Sequence, residues 1–119
     1  MKSILSEKAM DYAVKIIELH KELTFKKKEY QIADQIKRSG TAIGALLCEA
    51  EFAESAADFV HKMRIALKEC HETEYWLNLL HKTDYIPAEQ FEQLMNYNTE
   101  LKKMLIASIN TKLANAEKR

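Results

Sequence analysis

Only two glycines and one proline occur in the 119 residues of this chain, and both glycines sit inside an otherwise periodic stretch rather than at a break. A β-rich domain reverses direction every few residues and needs turn-forming residues to do it. Apolar residues here recur instead at steps of three and four, the spacing of one helix face. Hydrophobic residues make up 47% of the chain, enough to fill an interior between such faces. The expectation is all-α.

Four amphipathic segments are legible. The first places Leu5, Ala9, Tyr12, Ile16, Leu19 and Leu23 on one face, with Ser6 as its expected cap. The second carries Ile32, Ile36, Ser39, Ile43, Leu46 and Ala50. The third opens at Ser55 with Asp58 three residues on, the pattern of a capping box. It continues through Phe59, Met63, Ala66, Cys70, Thr73, Leu77 and Leu80. Pro87, tolerated only in a first helical turn, starts the fourth, whose core face is Phe91, Leu94, Asn98, Leu101, Leu105 and Ile109. The predicted helices span about 6–23, 29–52, 56–83 and 87–113, with Asn115 to Arg119 fraying. Short links make sequence neighbours antiparallel, so residues 1–119 are expected to form one antiparallel up-down four-helix bundle about 37 Å long.

Composition removes several function classes. Eighteen basic and eighteen acidic residues cancel, which disfavours a nucleic-acid binder that relies on bulk charge. No apolar run reaches the ~18 residues of a membrane span, and the opening Met1-Lys2-Ser3-Ile4-Leu5-Ser6-Glu7-Lys8 meets charge before a signal-peptide core can form. Cys48 and Cys70 lie on helices with no metal-ligand spacing, as suits a reducing, cytoplasmic setting. A bundle di-iron site needs Glu-x-x-His on two helices; only Asp58-Phe59-Val60-His61 approaches it, while His71 in Glu69-Cys70-His71-Glu72 is out of step and His20 and His81 lack companions. There is no glycine-rich phosphate loop and no nucleophile with a base at helical spacing. No cofactor, no metal and no catalytic role are expected.

What remains are helix faces beside the core. Gly40 and Gly44 cost about 1 kcal/mol each against alanine in a helix interior, so some close approach is expected to offset them. With Ala33 they form a close-packing seam, either for a helix of a second subunit or for a neighbour in the same bundle. The other flank of this helix carries Gln35, Arg38, Ala42 and Glu49. The third helix has a matching shoulder where Glu69 and Glu72 alternate with Ile65 and Trp76. Arg38 is expected to pair with Glu69 or Glu72 at a partly buried junction, within or between subunits, where such a pair sets register more than it adds stability. Lys26, Lys27 and Lys28, flanked by Phe25 and Tyr30, form a candidate nucleic-acid contact in which ammonium groups meet phosphate and a ring stacks on a base. Residues 1–40 hold nine basic and six acidic groups, against three and seven in 41–80, an asymmetry that favours head-to-tail association as much as RNA.

The run Tyr30-Gln31-Ile32-Ala33-Asp34-Gln35-Ile36-Lys37-Arg38-Ser39-Gly40-Thr41-Ala42-Ile43-Gly44-Ala45, followed by Glu49-Ala50, Ser55, Asp58-Phe59, Ile65-Ala66-Leu67-Lys68-Glu69, Glu72-Thr73, Tyr75-Trp76-Leu77 and Tyr85-Ile86, closely resembles the four-helix-bundle proteins encoded in intervening sequences of bacterial 23S rRNA genes. The resemblance implies a non-enzymatic bundle that assembles as a homopentameric barrel. A related branch, the accessory protein of diversity-generating retroelements, binds RNA and a reverse transcriptase. Gln35, Arg38, Ser39, Glu49, Asp58, Phe59 and Glu72 fall on the family's recurrent positions. The family's Asn-Ile-Ala-Glu-Gly stretch reads Leu46-Leu47-Cys48-Glu49-Ala50 here, without its asparagine and its glycine. The leading expectation is therefore a homo-oligomer that binds structured RNA or an RNA-associated protein. A protein–protein scaffold with no nucleic-acid role is its rival, and a metal-binding or enzymatic bundle comes third.

Overall fold

A computed structural model describes residues 3–118. Ser3, not Ser6, begins the first helix: its Oγ accepts the Ser6 amide at 3.0 Å, leaving the Ser6 hydroxyl to donate to Glu51 Oε1 at 3.1 Å. Helix α1 then runs Ile4–Phe25, α2 Gln31–Glu51, α3 Ala56–Lys82 and α4 Ala88–Glu117. At α2 the start falls two residues later than expected, because Glu29 stays outside the helix and its carboxylate accepts the Ala33 amide at 2.9 Å. Ser55 caps α3 as the sequence suggested: Asp58 N–H donates to its Oγ at 3.0 Å, and the Asp58 carboxylate reaches back to the Glu54 amide at 3.2 Å.

The longest helix is α4, with 30 residues, rather than either middle helix. It is helical to Glu117, four residues beyond the expected end at 113, since Leu113, Ala114, Ala116 and Glu117 are good helix formers with no breaker among them. Arg119, the end of the expected frayed tail, lies outside the described residues, as do Met1 and Lys2 at the start. The long α4 makes the molecule 53 Å in its greatest dimension, well beyond the length expected from helices of about 25 residues. Its other two dimensions are 22 and 21 Å.

Each helix packs on its neighbours in the order α1, α2, α3, α4 and back to α1, with no diagonal contact among the described residues. This is the antiparallel up-down bundle, all-α. Within it the six α1 positions read from sequence are all buried. Elsewhere the core stripe is rotated slightly. On α2 it follows Ala33, Ile36, Gly40, Ile43, Leu47 and Ala50, strict alternation of three and four, so Leu47 displaces Leu46 and Ile32 is only half-buried. Val60 replaces Phe59 on α3, and Phe91 of α4 is half-buried, stacked on His81 with ring centroids 4.4 Å apart. Phe59 is likewise half-buried, with Lys112 4.9 Å over its ring. No helix among the described residues is long and apolar enough to cross a membrane.

Two polar layers interrupt the apolar core. Asn98 Nδ2 donates to the Tyr12 hydroxyl at 3.0 Å across the α1–α4 interface, while Asn98 Oδ1 is buried without a protein partner. The Thr73 hydroxyl lies 2.8 Å from Ser39 Oγ and 2.8 Å from the Glu69 carbonyl, tying α3 to α2. A one-turn slip of any helix would bury these groups unpaired, so the layers specify register.

Candidate functional site

Arg38 projects from α2 toward α3, and the heptad of α3 returns Glu69 and Glu72 to the same side. The guanidinium makes a two-pronged contact with Glu69, at 3.2 Å to each carboxylate oxygen, and its Nη2 also donates to Glu72 Oε2 at 2.5 Å. The indole N–H of Trp76 donates to that same Glu72 oxygen at 3.1 Å. Planar guanidinium and carboxylate match in such a fork, which fixes orientation as well as charge. Both carboxylates raise the Arg38 pKa further above its ordinary value. Glu72 is held below the usual carboxylate range by the Trp76 N–H and by Arg38, against an opposing contribution from partial burial. Arg38 and Glu72 are therefore charged at neutral pH. Both shifts move these groups away from neutral pH, so the pair is suited to holding surfaces together rather than to acid–base chemistry.

The other expected members of this junction divide. Gln35 lies one turn before Arg38 and lines a shallow groove with Ile32 and Trp76. Glu49 lies three turns away and pairs with Lys62 at 3.4 Å, so it belongs to a separate contact between α2 and α3.

The glycine seam also divides. Ala33 and Gly40 are fully buried inside the subunit. Gly40 faces Ile16 of α1, and the helix approach there leaves no space for a methyl group. Close packing within one bundle thus accounts for Gly40. Gly44 is different: a Cβ at that position would meet Ala9 at 3.7 Å, an ordinary van der Waals distance. It sits instead in the floor of a groove of about 620 Å³ between α1 and α2, beside Ala9, Met10, Ala13, Ala45 and Cys48. Met10, Ala13, Val14 and Ile17 form a second apolar stripe on α1, outside the core, that the sequence reading passed over. Its signal was the same three-and-four spacing, displaced by one residue from the core stripe.

At the opposite end of α1 the chain turns through Lys26, Lys27 and Lys28. Lys28 takes a left-handed backbone, φ 57°, and the Glu29 amide closes the link onto the Leu23 carbonyl at 2.9 Å. All three lysines are exposed, and none is within ion-pair distance of a carboxylate among the described residues. Phe25 and Tyr30 bracket them with 73% and 54% of their surfaces exposed, unusual for aromatic side chains that have a core available.

No group of three or more His, Cys, Asp or Glu side chains among the described residues is arranged to hold a metal ion. His20 bonds to Asp34 at 2.9 Å, and His61 and His71 are exposed singly. Cys70 is buried, which pushes its thiol up to about 12, with Lys102 opposing the shift.

The model of the family described as 23S rRNA-intervening sequence protein matches residues 1–107. The chain belongs to that family. A crystal structure of a protein of unknown function from the S23 ribosomal protein family of Bacteroides thetaiotaomicron VPI-5482 superposes with a TM-score of 0.88. It is 50% identical to this chain over 89% of the present sequence and 98% of its own. No match is found among curated proteins. The family match spans all of α1, α2 and α3 and most of α4, so the Arg38 junction, the α1–α2 groove and the lysine link all lie inside it. No catalytic family is indicated.

Proposed function

We propose that this family member is a non-catalytic, homo-oligomeric bundle of the bacterial cytoplasm, five-membered by family resemblance, that binds structured RNA or an RNA-associated protein. The observation that carries the RNA reading is the α1–α2 link, where three unpaired lysines stand between two exposed aromatic rings. Ammonium groups bind phosphate without regard to sequence, and a ring stacks on any unpaired base. One such link is a weak site, since the chain as a whole is neutral. Several links carried at one end of a ring act together, because binding at the first raises the effective concentration at the next.

A gel-shift titration with 23S rRNA fragments at low and high salt tests the reading. A salt-sensitive shift that disappears in the Lys26→Glu/Lys27→Glu/Lys28→Glu variant is expected, since phosphate contacts weaken steeply with salt. Absence of any shift at low salt, where those contacts are strongest, overturns it. Native mass spectrometry with and without cellular RNA reports subunit number and bound partner in one measurement.

Zero net charge and the apolar α1–α2 groove favour a second reading, a scaffold whose partner is protein alone. In that case the lysine variant changes nothing, while protein capture depends on residues of the groove.

A further inference from the structure

The α1–α2 groove and the outer surface of α3 and α4 lie on opposite sides of the bundle, because the helices are arranged in ring order. They lie at the same end of it. The groove is formed by the start of α1 and the end of α2, and the other surface by the start of α3 and the end of α4. Their chemistry is complementary. Met10, 60% exposed, lines an apolar floor that Glu7, Asp11 and Glu51 border, and Val14, 52% exposed, follows one turn on along α1. Across the bundle, α4 exposes Ile106 and Leu113, seven residues and so about 10 Å apart on one face, with His61, Arg64 and Lys112 around Leu113. Neither the three acidic groups nor Arg64 and Lys112 form an ion pair among the described residues. Lys112 instead lies 4.9 Å over the Phe59 ring, which leaves its charge uncompensated.

Gly44 supplies the second observation. Nothing inside the subunit excludes a methyl group there, yet the helix forgoes alanine at a cost of about 1 kcal/mol. The dent it leaves is in the groove floor, where a side chain from outside would enter.

We infer that a second copy of this chain seats the Ile106–Leu113 stripe of its α4 in the α1–α2 groove. Its basic groups then meet the acidic rim. This rests on the homo-oligomer reading and adds the two faces that meet. Because the two faces differ, each copy offers both, and the contact repeats head-to-tail rather than as a two-fold dimer, closing into a ring where the rotation from copy to copy allows it.

Cys48 lies in the groove and provides the test. Leu113→Cys places a thiol on the opposite face, beyond reach of Cys48 in the same subunit, since α2 and α4 do not touch. Mild oxidation is expected to give a ladder of covalent species on a non-reducing gel, ending at the native subunit number and lost on adding Cys48→Ser. Ile106→Glu and Leu113→Glu, at exposed positions that the fold tolerates, are expected to shift native mass spectra to monomer with helical circular dichroism unchanged. An oligomeric wild type with no ladder, whose stoichiometry survives both glutamate variants, overturns the assignment of faces and leaves the homo-oligomer reading standing. A monomeric wild type overturns both.

Discussion

A Cβ added to Gly40 would lie 2.8 Å from Ile16 Cγ1 and 2.9 Å from Ile16 Cγ2, so α1 and α2 touch where one has no side chain and the other is β-branched. The crowded atoms are at the root of the isoleucine rather than its tip, and no rotamer change clears them. Gly40→Ala is therefore expected to destabilise the subunit by about 1–3 kcal/mol, despite alanine's better helix propensity. Adding Ile16→Ala should recover part of that loss by opening the same space. Urea unfolding of the two single variants and the double checks it; a Gly40→Ala variant more stable than wild type would show that the helices can separate without cost.

Among the described residues, Tyr12 and Asn98 form the one side-chain hydrogen bond between α1 and α4 in the core. Tyr12→Phe strands the Asn98 amide and Asn98→Leu strands the phenol, each at about 1–3 kcal/mol. Replacing both removes the need for a partner, so the double variant should be far less destabilised than the sum. A coupling energy of about 0.5–3 kcal/mol is expected from the denaturation cycle.

Alkaline pH should destabilise the fold through two buried groups of the core. Burial raises the pKa of Cys70 from 9.0 to about 12 and also raises that of Tyr12, the latter opposed in part by the hydrogen bond from Asn98. A raised folded pKa means stability that is complete below the unfolded value and is lost as pH climbs toward the folded one. Tm is expected to fall above pH 9, less steeply in Cys70→Ala. Over the same range a thiol reagent should modify Cys48 readily in the native protein and Cys70 only after unfolding.

Acid acts on the other junction. The pKa of Glu72 is depressed from 4.5 in the folded chain by Trp76 and Arg38, so its contribution is present above that value and is lost as pH falls through the lower folded one. Trp76 fluorescence is expected to report this as a transition below pH 4.5, because the indole donates to the titrating carboxylate. Arg38→Met should move the transition upward, since one of the two groups holding the charge is gone. An unshifted transition would mean that Arg38 does not act on Glu72 in solution.

How much of this was legible without coordinates varies by element. The α1 core residues were, because Leu5, Ala9, Tyr12, Ile16, Leu19 and Leu23 run the length of the helix, whereas the neighbouring stripe of Met10, Ala13, Val14 and Ile17 covers only its middle. The α2 and α3 stripes were misplaced by one residue at Leu46 and Phe59, where a larger or equally apolar neighbour stands beside the true core position. Apolar area favours Phe over Val and cannot separate Leu46 from Leu47; only the space between converging helices does. The cap at Ser3 was missed because Ser6 has the same chemistry, and the choice depended on Glu51 from another helix.

The helical class, the four segments and the antiparallel order follow from sequence alone, because the 3.6-residue period and scarce turn residues act locally. The roles of the two glycines do not. Gly40 and Gly44 are identical in propensity and one turn apart, yet one is filled by Ile16 and the other opens onto a groove. That difference depends on the distance between two helix axes at each level, a property of how the helices pack rather than of either residue.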